Sequence, residues 1–352
     1  MIVVMKSGTP AAAIEQLTQE FIGWNLTPEK IVGKHKVVIG LVGDTASLDE
    51  ARITELSPFI EQVLRVEKPF KRASLEFRNG EYTTISVDTP NGVVEFGRDR
   101  SLVVMAGPCS VESEEMIVAT AKHVRSQGAQ FLRGGAYKPR TSPYAFQGHG
   151  ESALDLLATA RAESGLGVVT EVMDAADIER IADVADILQI GARNMQNYTL
   201  LKQVGQQSKP VMLKRGPAAT INEWLMAAEY ILAAGNPNVL LCERGIRTFD
   251  SKYTRNVLDI SAVPVLHSLT HLPVVIDPSH GTGKSSLVPA MTQAAIATHV
   301  DAIIIEVHPN PAKALSDGPQ SLTFEGFSSV MQDAKSLASM LGRWEATPAL
   351  AA

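Results

Sequence analysis

From Leu102 onward the chain alternates short apolar runs with longer amphipathic stretches. The runs are Leu102–Ala106, Phe131–Tyr137, Gly167–Met173, Ile187–Ile190, Pro210–Lys214, Val239–Cys242, Pro273–Ile276 and Ala302–Val307. They are continuous rather than alternating, the pattern of parallel strands buried on both faces. Helical spacing fills intervals such as Glu112–Ser126, Ser152–Glu163, Ala176–Ala182, Ile221–Ala234 and Leu287–Thr298. Eight such units over about 240 residues predict a (β/α)8 barrel across 101–345. An open, doubly wound sheet is the alternative. Eight similar units, and no GxGxxG after the first strand, favour the barrel.

Residues 1–75 have a different rhythm. Met1–Lys6 reads as a strand, Pro10–Ile22 as a helix with Ala13, Ile14, Leu17, Phe21 and Ile22 on one side, and Ile31–Val32 and Lys36–Val42 as strands. Ser47–Leu56 suits a short helix with Ser47 as N-cap and Glu50 three residues on, and Ile60–Val66 is a last strand. This β-α-β-β-α-β order predicts a small ferredoxin-like domain. It contains no catalytic grouping and reads as either a packing and assembly module or an effector-binding one. Residues 76–100 are a polar bridge, with a hairpin expected from Tyr82–Val87 and Val93–Phe96 around Thr89-Pro90-Asn91-Gly92. That hairpin is placed to plug the bottom of the barrel.

Composition narrows the function. With 352 residues, 45% hydrophobic and 20% charged, the chain is of ordinary globular type. No run of 18 apolar residues suits a membrane span, and MIVVMKSGTP is too short and too quickly polar for a secretory signal. Two cysteines exclude a disulfide framework, and a cytoplasmic location is expected. The net charge of −6 argues against nucleic acid as a partner. An anionic substrate must therefore be met by a local basic cluster.

Candidate chemistry gathers where the strands end, which in barrel enzymes is where active sites lie. Val103–Ser110, VVMAGPCS, runs into Gly107-Pro108 and presents Cys109. Strand two carries Arg133 and leads into Lys138-Pro139-Arg140-Thr141-Ser142. Later ends bring Glu171, Arg193, Lys214-Arg215, Glu243-Arg244, Asp277 with His280, and Glu306 with His308. Ser316-Asp317-Gly318-Pro319 follows. A thiolate, an imidazole and two carboxylates suit a divalent transition metal, although no CxxC or HExxH spacing marks one. The basic groups exceed what one phosphate needs. Two phosphorylated substrates, or a phosphate plus a carboxylate, would explain them, unless some, with Arg215 and Arg247 the foremost candidates, pair with barrel carboxylates. His280–Ser285 ends like a P-loop, but its opening glycine position is Pro278, which excludes ATP binding there. Cys242 reads as a buried small hydrophobe. His123 and His299 read as structural or surface residues on helices. His308 is expected to share the face of Glu306 and to support the ligands from behind.

At these residues the chain resembles 3-deoxy-D-arabino-heptulosonate 7-phosphate (DAHP) synthase, in the type I beta subgroup with an N-terminal ferredoxin-like domain. The segments AGPCS, LRGGAYKPRTSPY, TEVMD, IGARNMQN, LKRG, CERGIRTF, DPSHGTG, EVHP and SDGPQ carry the resemblance over nearly the whole chain. It implies a transferase of the shikimate pathway that condenses phosphoenolpyruvate with erythrose 4-phosphate. It implies one divalent metal (manganese, iron, cobalt or zinc) on Cys109, His280, Glu306 and Asp317. Phosphoenolpyruvate would be gripped by Arg133, Lys138, Arg193, Lys214 and Arg244, and erythrose 4-phosphate received by Arg140, Thr141, Ser142 and Asp277. Glu171 is the candidate to activate water, with Lys138 or Lys214 supplying a proton. Feedback by tyrosine or phenylalanine and a homotetramer are further expectations. The sister enzyme, 3-deoxy-D-manno-octulosonate 8-phosphate synthase, is the alternative; its members read K-A-N-R-S where this chain reads Lys138–Ser142.

Overall fold

A computed structural model describes residues 1–33, 36–45, 48–65, 68–140 and 142–344. They form two compact units, Met1–Tyr82 with Ser268–His271, and Thr83–His267 with the chain from Leu272 on.

In the first unit, strands β1 (Ile2–Met5), β2 (Thr27–Val32), β3 (Val37–Val42) and β4 (Ile60–Leu64) make an antiparallel sheet in the order β2-β3-β1-β4. Alternation along the strands sorts the side chains. Val3, Met5, Ile39 and Leu41 pack with Leu17, Phe21 and Ile53 of the helices Ala11–Gly23 and Glu50–Glu55. Ile2, Val4 and Val38 turn the other way and meet Phe77. This is the expected ferredoxin-like topology. The second strand is longer than Ile31–Val32 because it lies at the sheet edge, where Pro28 needs no ladder donor. The second helix is capped by Asp49, whose carboxylate accepts the Ala51 N–H, and Ser47 lies outside the described residues.

In the second unit, β5 (Ile85–Thr89) and β6 (Gly92–Phe96) form the expected hairpin. Ile85, Val87 and Phe96 join the barrel's interior core, and the Phe96 and Phe131 rings lie 5.5 Å apart. The barrel strands are β7 (Val103–Gly107), β8 (Phe131–Arg133), β9 (Gly167–Val172), β10 (Ile187–Ile190), β11 (Val211–Lys214), β12 (Val239–Glu243), β13 (Val274–Ile276) and β14 (Ala302–Glu306). They pair in parallel and close, with β14 beside β7. Met105, Phe131, Val169, Ile187, Met212, Cys242, Val275 and Ile304 fill the interior, so Cys242 is a packing residue as expected.

β8 stops at Arg133 rather than reaching Tyr137. Gly134 and Gly135 let the chain turn against the Cys109 loop, where Gly135 N–H donates to the Cys109 carbonyl at 3.1 Å and Val111 N–H to the Gly135 carbonyl at 3.0 Å. The stretch expected as a helix at Ala176–Ala182 is a short 3-10 turn followed by the helix Ile178–Val184. His299 lies beyond the helix Val288–Ala297, with φ 61°. His123 does lie on the helix Glu114–Ser126, stacked on Phe324. Among the described residues no helix is long and apolar enough to cross a membrane.

Candidate active site

Strand parity builds the site. Side chains two residues beyond an interior core residue point the same way. From Phe131, Val169, Ile187, Met212, Cys242, Val275 and Ile304, that step reaches Arg133, Glu171, Gln189, Lys214, Arg244, Asp277 and Glu306. The polar layer at the mouth is thus the next layer of the barrel interior. On the first strand, Gly107 (φ 152°) leaves no room for a side chain, because an added Cβ would lie 2.2 Å from the Arg133 carbonyl oxygen. The chain then turns through Pro108 and presents Cys109.

Four donors converge. One atom each from Cys109, His280, Glu306 and Asp317 lies within 4.8 Å of the others. Asp277 N-caps the short helix Pro278–Thr282: its Oδ1 accepts the His280 N–H at 2.9 Å and its Oδ2 lies 2.8 Å from His280 Nδ1. That bond leaves Nε2 free to ligate, and burial lowers the His280 pKa, favouring the neutral form a metal requires. Glu306 Oε1 accepts from Arg133 at 2.8 Å and Oε2 from Gln320 at 2.7 Å. Burial opposes ionisation of Glu306, but His280 and Arg133 outweigh it and hold the carboxyl below its usual range. Asp317 sits in left-handed backbone (φ 54°). Burial opposes its ionisation too, yet the Cys109 hydrogen bond, His280 and Arg255 hold it low. The Cys109 thiol is pushed up to about 12 by burial, reinforced by Glu306, and its Sγ lies 2.9 Å from Asp317 Oδ2. Two carboxylates, an oriented imidazole and a thiol converging at one point fit a divalent transition metal.

Beside this cluster is a cavity of about 470 Å³, in the range of small-ligand sites. Arg133, Lys138, Arg140, Arg193, Lys214, Arg244, Arg247 and Arg255 line it, against the carboxylates Glu171 and Asp317. Lys138 donates to the Cys109 carbonyl at 3.0 Å. Burial works to lower its pKa, but the neighbouring acidic groups Cys109, Glu171 and Glu306 outweigh that and raise it, so Lys138 stays a cation. Lys214 is paired with Asp277 at 2.5 Å. Glu171 receives the Gln189 amide at 3.3 Å.

Of the residues singled out in the sequence, Arg133, Lys138, Arg140, Glu171, Arg193, Lys214, Arg244, His280 and Asp317 line the cavity. Ser142 and Asp277 do not; Ser142 is exposed, and both Asp277 oxygens are engaged by Lys214 and His280. Thr141 lies outside the described residues. Arg215 is a barrel ion pair, donating to Glu243 and Asp259 at 2.9 Å each, whereas Arg247 faces the cavity. His308 lies just past the end of β14, with its Nε2 3.5 Å from Glu112 Oε2. Sequence reading missed Gln189, Arg255 and Gln320. Parity from Ile187 would have found Gln189. Arg255 sits on an irregular loop and Gln320 on the short 3-10 turn Gly318–Gln320, neither of which carries such a signal.

Comparison with known proteins agrees with this geometry. The DAHP synthetase I family profile matches residues 82–340, and the DAHP synthase ferredoxin-like domain profile matches residues 1–68. A phospho-2-dehydro-3-deoxyheptonate aldolase of Thermotoga maritima is 47% identical over 342 residues, 97% of this chain and 99% of that protein. The crystal structure of the Thermotoga maritima DAHP synthase superposes with a TM-score of 0.76 at 47% identity, over 97% of this chain and 98% of that one. A 2-dehydro-3-deoxyphosphooctonate aldolase of Acidithiobacillus ferrooxidans is 33% identical over 64% of this chain and 86% of its own length. The chain belongs to the DAHP synthetase I family, in the form that carries a ferredoxin-like domain ahead of its barrel.

Proposed function

We infer that this protein is a 3-deoxy-7-phosphoheptulonate synthase, a transferase that joins phosphoenolpyruvate to erythrose 4-phosphate with release of inorganic phosphate. The observation that carries the reading is the juxtaposition of eight cationic side chains with the Cys-His-Glu-Asp cluster at one barrel mouth. Residues 101–345 are the catalytic part, 76–100 the linker and 1–75 a regulatory module, with tyrosine or phenylalanine as the effector class and a homotetramer as the assembly.

Cys109, His280, Glu306 and Asp317 would hold one divalent ion, which supplies Lewis-acid polarisation of the sugar aldehyde. Lys138, Arg193, Lys214 and Arg244, with Arg133, grip the phosphate and carboxylate of phosphoenolpyruvate. Arg140, with Thr141 and Ser142, receives the sugar phosphate; the Arg140 Nε–H bond to the Phe146 carbonyl at 2.9 Å holds the guanidinium at the rim. Asp277 serves this site by fixing His280 and Lys214. C3 of phosphoenolpyruvate attacks the aldehyde carbon, and C2 becomes electron-poor. Glu171, steadied by Gln189, takes a proton from the water that adds at C2. The resulting hemiketal expels phosphate. Lys138 holds a fixed positive charge beside the developing oxyanion and is the better placed lysine for that role, because Lys214 is neutralised by Asp277. Fixing two anions against each other supplies much of the rate.

The test is phosphate release from phosphoenolpyruvate with erythrose 4-phosphate or arabinose 5-phosphate, after chelation and with manganese restored. Manganese-dependent turnover with the four-carbon sugar is expected. Preference for the five-carbon sugar would move the protein to the sister activity.

A further inference from the structure

One carboxylate outside the donor set ties together the segments that carry it. Glu112 follows Cys109 by three residues on the loop leaving β7. Its Oε1 accepts the Leu315 N–H at 2.9 Å, two residues before Asp317. Its Oε2 lies 3.5 Å from Nε2 of His308, two residues after Glu306. The Nδ1 of His308 accepts the Asn310 N–H at 3.0 Å, so in the neutral ring the proton is on Nε2 and faces Glu112. That nitrogen makes no hydrogen bond, so Glu112 is its close but unbonded polar neighbour. Both side chains are mostly buried, 14% exposed for Glu112 and 6% for His308. Neither lines the cavity and neither belongs to the donor cluster. A substrate-contacting role is therefore absent from the geometry.

The segment Glu112 holds needs holding. Asp317 occupies left-handed backbone, a conformation that is strained for a non-glycine residue and persists where neighbours enforce it. Ser316, beside it, donates from Oγ to Cys109 Sγ at 3.1 Å. A loop freed at Leu315 would relax and carry both Ser316 and Asp317 away from Cys109.

We propose that Glu112, together with His308, is a positioning residue that sets the spacing of Cys109, Glu306 and Asp317 and so the affinity of the metal site. The proposal rests on the metal reading above, and the experiment separates the two. Metal-free wild type, Glu112→Ala, Glu112→Gln and His308→Gln are titrated with cobalt(II), following the thiolate-to-metal absorption in the near ultraviolet. Thermal midpoints of the metal-free proteins are recorded alongside. Glu112→Ala is expected to weaken cobalt binding by about 10–100-fold, as loss of supporting groups behind metal ligands does. Glu112→Gln keeps an oxygen for the Leu315 N–H and should lose less. The KM for phosphoenolpyruvate at saturating metal should stay at the wild-type value. If wild type shows no thiolate-bound cobalt, the metal reading fails. If wild type binds cobalt and the variants bind it equally tightly, with only their metal-free stability reduced, the positioning role is refuted and the metal reading stands. Should Glu112→Ala not fold, the two glutamine variants decide the question on the same readouts.

Discussion

Gly191→Ala tests the assignment of Glu171 without touching Glu171. Gly191 has φ −65° and ψ 156°, which any L-residue adopts, so its backbone does not require glycine. Space does: a Cβ there would lie 1.9 Å from Glu171 Oε1 and 2.9 Å from its Cδ. Carbon and oxygen in ordinary contact stand more than about 3.3 Å apart, so the carboxylate must retreat by roughly 1.5 Å. The shift also strains the hydrogen bond that Gln189 donates to its Oε2. Misplacing a reacting group by about 1 Å costs on the order of 100-fold, or about 2.7 kcal/mol in the barrier. The substitution should therefore lower kcat by about 100-fold in a phosphate-release assay, leaving the KM for phosphoenolpyruvate near wild type. A double-mutant cycle isolates the cause. In a Glu171→Ala background the added methyl has no carboxylate to displace, so it should cost little more. A Gly191→Ala enzyme within about threefold of wild type would refute Glu171 as the water-activating group. So would an equal loss in both backgrounds.

Cys109→Ala should abolish metal-dependent turnover and the thiolate-to-cobalt absorption while leaving the far-ultraviolet circular dichroism unchanged; a persisting absorption band would remove the thiol from the donor set. Arg140→Ala should raise the KM for erythrose 4-phosphate by at least about tenfold, as loss of a charge-assisted contact implies, and a loss confined to phosphoenolpyruvate would reassign that arginine. His271 donates from Nε2 to the Arg72 carbonyl at 2.7 Å, and burial lowers its pKa to about 4 from 6.5. The unfolded chain thus binds the proton first, and stability present above pH 6.5 declines as pH falls toward 4, by up to about 3 kcal/mol. Thermal melts across that range should show the decline in wild type and a flatter profile in His271→Gln, which keeps a donor but does not titrate; parallel profiles would clear His271 of the effect.

The succession of strands and the barrel were legible in the chain alone. Continuous apolar runs such as Val239–Cys242 can be satisfied only by burial on both faces, so periodicity is read without coordinates. Residues at regular strand ends, among them Arg133, Glu171, Lys214 and Glu306, inherit their direction from the parity of the strand and were legible for that reason. How the charges divide between ion pairs and the cavity became visible in the fold. Arg215 and Arg244 both follow strand ends in the sequence, yet Arg215 is spent on Glu243 and Asp259 while Arg244 faces the cavity. Asp277, a sugar contact by resemblance, is in the fold the partner of His280 and Lys214. That the His308 imidazole meets Glu112, from the loop after β7, is likewise visible only in the fold. Each of these depends on which loop comes within about 3 Å of which side chain, a distance set by contacts between segments remote in sequence. Local pattern encodes direction along a strand; it does not encode the pairing of groups that only closure of the barrel brings together.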